Sequence, residues 1–141
     1  MSRIFFDTNL FIYYIEDFGP RGKRVTQLVE AILTRGDEIL TSVLTLGEVL
    51  AKPLADGNTE LAEGYEAALR SPGVTILDFD RACARAFAHI RRDKTVKAPD
   101  AIQLACAAQA RCDLFITNDD RLSQKIVPGI QFITSLDRAF I

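Results

Sequence analysis

Four acidic residues, Asp7, Glu48, Asp100 and Asp119, are far apart in the chain, and each stands where an apolar strand ends or a helix begins. Brought together, they would form a carboxylate pocket that cannot stay fully ionised unaided. Two unit charges about 4 Å apart repel by about 4 kcal/mol at an effective dielectric of about 20. Hard divalent cations, which take oxygen ligands, resolve that conflict. The elements that carry the four acids decide whether such a pocket can exist.

Strand-like and helical patterns alternate along the chain with no repeat, low-complexity segment or linker, which predicts an α/β domain with a largely parallel sheet of about five strands. The strands are expected at Arg3–Phe6, Glu38–Thr41, Val74–Leu77, Leu114–Thr117 and Gln131–Thr134. A first helix is expected from Asn9 to Asp17, stopping near Gly19-Pro20, and a second from Gly22 to Arg35 with Val25, Leu28, Val29 and Ile32 at helical spacing. A third runs from Ser42 to Leu50 and should end near Pro53, whose ring and missing N–H break helices. Glu60–Arg70 and Arg81–Arg92 follow, and Pro99 suits the start of an alanine-rich helix reaching about Arg111.

In an open parallel sheet, ligands bind beyond the carboxyl ends of the strands. Asp7 directly follows the first strand and Asp119 comes two residues after the fourth, so both emerge at that edge. Glu48 rides the first turns of the helix after the second strand. Asp100 fits less simply, because a helix preceding a strand is expected to start at the opposite edge. Each acid also has a local alternative. Asp7 and Asp119 suit caps, Glu48 could close a capping box with Thr45, and Asp100 could complement a helix dipole. Gly47, unfavourable inside a helix by about 1 kcal/mol, hints at a close approach beside Glu48.

Composition sets the outer bounds. A chain of 141 residues, 48% apolar and 26% charged, is expected to make one domain over 1–141. No apolar run reaches the roughly 20 residues of a membrane span, and no signal-type segment opens the chain. The expectation is a cytoplasmic protein without a membrane partner. Cys83, Cys106 and Cys112 are odd in number and lack CxxC spacing, as expected of buried reduced thiols. A single histidine, His89, excludes multi-histidine zinc chemistry. A net charge of −2 leaves polyanion binding to local patches. Arg21, Lys23 and Arg24 in a glycine-proline loop form one such patch, and Arg91, Arg92, Lys94 and Lys97 another; a solvated basic face is the alternative for both.

The motifs Phe6-Asp7-Thr8-Asn9, Leu46-Gly47-Glu48-Val49, Pro99-Asp100-Ala101-Ile102-Gln103-Leu104-Ala105 and Thr117-Asn118-Asp119 with Arg121-Leu122 together resemble the PIN domain, in particular the VapC-type ribonucleases of toxin–antitoxin pairs. The resemblance spans essentially the whole chain and rests on the order and spacing of the motifs. It implies a three-layer α/β/α fold in which Asp7, Glu48, Asp100 and Asp119 bind Mg²⁺ or Mn²⁺ and catalyse hydrolysis of RNA phosphodiester bonds. Asp7 and Asp119 suit direct ligation, while Glu48 and Asp100 suit contact through water or orientation of the nucleophile. Asn9 and Thr117 are similar to polar residues that support this family's pocket. Arg91, Arg92, Lys94 and Lys97 would contact RNA phosphates. Homodimer formation and silencing by a small antitoxin are likewise implied, with Phe11 and Tyr14 as interface candidates. Asp120 duplicates the acid beside Asp119, and Leu122 stands where the family often has an aromatic residue.

Two other function classes fit parts of the pattern. A phosphotransfer enzyme with an aspartyl nucleophile could use Asp7 but would carry a second aspartate two residues on, where this chain has Asn9. A non-catalytic PIN-like module could hold RNA or a protein through the basic segments, but it would not need all four acids. Tyr13 and Tyr14 could stack on bases or serve in packing.

Overall fold

The computed structural model describes residues 1–140. Five strands, β1 (Arg3–Phe6), β2 (Glu38–Ser42), β3 (Val74–Leu77), β4 (Leu114–Thr117) and β5 (Phe132–Ser135), form one sheet of order β3-β2-β1-β4-β5. Every pairing is parallel. Helices α1 (Thr8–Glu16) and α2 (Pro20–Thr34) join β1 to β2, α3 (Val43–Ala55) and α4 (Thr59–Leu69) join β2 to β3, and α5 (Arg81–Ile90) and α6 (Ala98–Gln109) join β3 to β4.

The pleat of the sheet divides the core into two. Ile4 and Phe6 of β1 face one side and meet Leu10, Val25, Leu28, Ile32, Val49 and Tyr65 from α1–α4. Phe5, between them, faces the other side and packs with Leu40, Phe115, Leu104 and Cys106 under α5 and α6. This period of two, with both faces covered, is what parallel strands require. The layers are therefore α/β/α, as expected. Phe5 and Phe115 lie stacked across neighbouring strands, with ring centroids 4.9 Å apart.

Several expectations shift. Helix α3 runs through Pro53 to Ala55. Proline there falls in the last turn, where only one intrahelical bond is forgone, and the buried ring packs instead of ending the helix. Helix α2 starts at Pro20 rather than Gly22, so Arg21, Lys23 and Arg24 ride its first turns instead of a loop. Arg21 lies over the Tyr13 ring, and Arg24 donates to the Ala139 carbonyl. All three cysteines are free and buried.

Helix α6 corrects the expectation for Asp100. Its C-terminal end lies at the amino edge of the sheet, where Arg3 bonds the Ala110 carbonyl and the Asp113 N–H donates to the Arg3 carbonyl at 2.8 Å. A helix feeding directly into β4 must finish at that edge, and twelve residues span about 18 Å, roughly the height of a short sheet. Helix α6 therefore begins at the carboxyl edge and runs antiparallel to the strand it feeds.

Two glycines separate packing from function. At Gly22 a Cβ would sit 1.6 Å from the Asp17 carbonyl oxygen, so the crossing of α1 and α2 admits no side chain. At Gly47 a Cβ would meet nothing within 4 Å, so the close approach expected beside Glu48 is absent. Gly47→Ala should raise the unfolding free energy by about 0.5–1 kcal/mol. Gly22→Ala should lower it by about 1–3 kcal/mol through overpacking. Urea unfolding of the two variants tests both signs.

Candidate active site

The strand order reverses between β1 and β4, since β1 leads on one side to β2 and β3 and on the other to β4 and β5. The carboxyl end of such a reversal leaves an open crevice. Phe6 pairs with Ile116 there, so Asp7 and Thr117 follow side by side. The Asp7 N–H donates to the Ile116 carbonyl at 3.1 Å, fixing the backbone at the mouth of the crevice.

Both Asp7 oxygens are held. One accepts from the Thr8 N–H at 2.8 Å as the cap of α1, and the other accepts from the Thr117 hydroxyl at 2.8 Å. The capping role and the site role thus coincide in one carboxylate. Thr117 is fully buried and also accepts from the Asp119 N–H at 3.1 Å, linking the two strand-end acids. Asp119 Oδ1 accepts from the Arg121 N–H at 2.9 Å, so the expected turn cap is present as well.

Glu48 belongs to no capping box. The N-cap of α3 is Ser42, which accepts from the Leu44 N–H, and Thr45 lies a turn inside the helix with its hydroxyl buried. Glu48 Oε1 instead accepts from the Thr8 hydroxyl at 2.6 Å. Behind Thr8 runs a buried polar chain. Gln103 donates to Thr8 at 3.0 Å and to Thr45 at 2.8 Å, and Ser42 donates to Gln103 Oε1. Thr45 stands 3.0 Å from Thr8 and 2.8 Å from Thr41, whose hydroxyl reaches the Phe6 carbonyl at 3.0 Å. A hydroxyl has one proton, so with Thr8 donating to Glu48, Thr45 donates to Thr8. Successive donors therefore point toward the Glu48 carboxylate, and α1, α3, α6 and β2 are tied at one place.

Thr8, Thr41, Ser42, Thr45 and Gln103 escape a reading of the sequence. Gln103 follows Asp100 by three residues and so shares its side of α6, which was the available signal. Asn9, expected in support, is exposed on α1 and makes no side-chain hydrogen bond among the described residues, whereas its neighbour Thr8 is buried in the network. Asp120 is exposed and faces solvent.

Charge is concentrated at this edge. Burial pushes the Asp7 carboxyl up to about 6; the Thr117 and Thr8 bonds oppose the rise, and Asp100 and Glu48 add to it. Asp100 is also raised, by burial first and then by Asp119 and Glu48. The four acids therefore act on one another as a group. Among the described residues, no ion pair reaches Asp7, Glu48 or Asp100, and Asp119 has only a long one to Arg121 at 3.8 Å. An excess of oxygen donors, with Lys97 and Arg121 as the nearby counter-charge on Asp100, suits a hard cation. No three acidic, histidine or cysteine side chains form a closed chelate among the described residues. A cation that retains much of its own water, as Mg²⁺ does, fits such an open set.

Asp100 and Asp119 line one opening of about 410 Å³ together with Lys97, Arg121 and Lys125. Of the basic residues singled out from sequence, Lys97 thus stands at the acids. Lys94 is exposed, Arg91 is turned back to bond the Val96 carbonyl at 2.9 Å, and Arg92 donates to the His89 carbonyl at 3.2 Å. Arg121 and Lys125 complete the basic rim.

Two measurements test this arrangement. The raised Asp7 pKa favours the folded state fully below the unfolded value near 3.8, and that contribution is lost as pH rises through about 6. With chelator present, the stability of Asp7→Asn relative to the parent should therefore rise between pH 4 and 7.5, by at most about 3 kcal/mol in urea unfolding. Gln103→Leu strands the buried Ser42, Thr8 and Thr45 hydroxyls and should cost about 1–3 kcal/mol at any pH.

Comparison with known proteins places this geometry. The family model described as PIN domain matches residues 4–126. A search of curated proteins gives no match. Among solved structures, VapBC2 from Rickettsia felis bound to a promoter DNA fragment is similar at a TM-score of 0.76 and 15% identity, covering 95% of this chain and 98% of that one. A toxin–antitoxin complex from Klebsiella pneumoniae is similar at 0.67 and 25% identity, over 90% and 94% of the two chains. Mycobacterium tuberculosis VapC20, a sarcin–ricin loop cleaving toxin, is similar at 0.66 and 16% identity, over 87% and 96%. The family match takes in all four acids, and with it the chain belongs to the PIN domain family.

Proposed function

We propose that the protein is an endoribonuclease dependent on Mg²⁺ or Mn²⁺, acting as the toxin of a type II toxin–antitoxin pair in the cytoplasm. The carrying observation is the set of four carboxylates at the β1/β4 crevice, coupled to one another and almost without basic partners. Asp7, Asp119, Asp100 and Glu48 would hold the cation. Bound there, it would supply an activated water and neutralise charge on the leaving oxygen of a phosphodiester.

The chain's own groups do the positioning. Thr8 and Thr117 keep the Asp7 carboxylate from turning, and Thr8 leaves Glu48 Oε2 free to orient a water. Asp119 keeps Oδ2 free in the same way. Asp100 makes no side-chain hydrogen bond among the described residues and lines the opening, where Lys97 and Arg121 are placed to meet phosphate oxygens.

The likeness to VapBC complexes supports a small antitoxin as partner, and VapC20, which cleaves the sarcin–ricin loop, supports structured RNA as substrate. A homodimer completes the reading. A non-catalytic PIN-like module that binds RNA or protein is the second reading, favoured by the lack of a closed three-residue chelate among the described residues.

Incubation of the purified protein with structured RNAs, in Mg²⁺, Mn²⁺ or chelator, separates the two. Cleavage should require the cation and fall by more than about 100-fold in Asp7→Asn, with Thr117→Val losing about 10–100-fold as a supporting group does. Binding without cleavage in every cation, unaffected by Asp7→Asn, would establish the module instead.

A further inference from the structure

A further cavity lies outside the acidic centre. It is a groove of about 860 Å³ between one side of α5, the last turn of α6 and residues Lys125–Pro128. Its floor is apolar, formed by Ala86, Ile90, Val96, Ala108 and Val127. Arg85, His89 and Arg92 rise along one wall, spaced by four and three residues, so they share one side of α5 and its terminal turn. All three are exposed. Among the described residues neither arginine has an ion-pair partner, and the groove's single acid, Asp93, is taken by Lys125 at 2.9 Å.

This groove adjoins the acidic opening, since Val96 and Lys125 line both. Lys125 also donates to Thr95 at 2.7 Å, so the partition between the two spaces is a tied pair of loops. Unpaired guanidinium groups above an apolar floor match a ligand with anionic links and flat, weakly polar faces. Single-stranded RNA has both, and proteins hold it by phosphate contacts and by stacking of unpaired bases.

We propose that the groove holds an unpaired stretch of the RNA that flanks the bond cut at the acidic centre, with Arg85 and Arg92 on its phosphates and a base on the Ala86–Ile90–Val127 floor. The imidazole of His89 and the 95% exposed side chain of Ile126 at the lip offer further surfaces for a base. The assignment rests on the nuclease reading, and it gives that reading a direction: substrate leaves the centre past Lys125 toward α5. It also moves the main phosphate contacts from the loop carrying Arg91 and Lys94 to the wall of α5.

The test uses the full chain carrying Asp7→Asn, which binds without cutting, and a labelled single-stranded RNA of about 12 nucleotides. Adding Arg85→Gln and Arg92→Gln should weaken binding and flatten the salt dependence, lowering the log–log slope by about 1.4, or about 0.7 for each phosphate no longer neutralised. An abasic site at the flanking position should weaken binding to the parent by about tenfold and have a smaller effect on the double variant. Both arginines are exposed, and an unchanged urea midpoint will verify folding. An unchanged Kd and slope, or no RNA binding by the parent, would overturn the assignment. So would a changed sedimentation coefficient with RNA affinity intact, which would make the face a contact between copies, or binding of an acidic peptide in preference to the RNA. Cleavage by the unsubstituted chain is scored in parallel, so loss of the groove and loss of the nuclease reading give different results.

Discussion

The site depends on a concentration of negative charge at the one place where a parallel sheet leaves an opening. Carboxylates at the ends of β1 and β4 cannot avoid each other, because those strands are neighbours in register and their next residues diverge over the same crevice. Burial and mutual repulsion raise Asp7 and Asp100 together. A fold that places four acids there bears an electrostatic cost in its cation-free form, and the surrounding architecture offsets it.

The offset comes from hydrogen bonding at Asp7 and Glu48, and at Asp100 from the nearby Lys97 and Arg121. Asp7 is held by a backbone N–H and a buried threonine hydroxyl, and Glu48 by the end of a donor chain that starts at Ser42 and passes through Gln103, Thr45 and Thr8. Hydroxyls and amides stabilise ionised oxygens without neutralising them. A lysine or arginine in those positions would neutralise them instead. The same chain ties α1, α3 and α6 together, so the scaffold that orients the acids also fixes the helices around the crevice.

Beyond the crevice the sign of the surface changes. Lys97, Arg121 and Lys125 rim the acidic opening, and Arg85 and Arg92 extend the basic surface along α5. With a net charge of −2, the chain has no general attraction for a polyanion, so the proposed RNA binding rests on local basic surface such as this. Acid at the centre and base around it is a distribution that suits the proposed cation-assisted reaction on a phosphate ester.

The α/β class, the five strands and the acids at strand ends are legible in the order of residues, because periods of two and of about 3.6 are local properties of the chain, whereas the three layers follow from the family resemblance. Asp7 and Asp119 are legible for the same reason: each follows its strand within two residues. The position of Asp100 is not, since it depends on the edge of the sheet at which α6 starts, and α5 intervenes between β3 and α6. Nor is the role of Thr8 over Asn9 or of Gln103, because a threonine or glutamine looks alike in sequence whether solvated or joined to partners 37, 58 or 95 residues away. Those features, and the basic groove with them, emerge only when the chain is folded, because burial and long-range hydrogen bonding depend on which elements pack together rather than on which residues are adjacent in the chain.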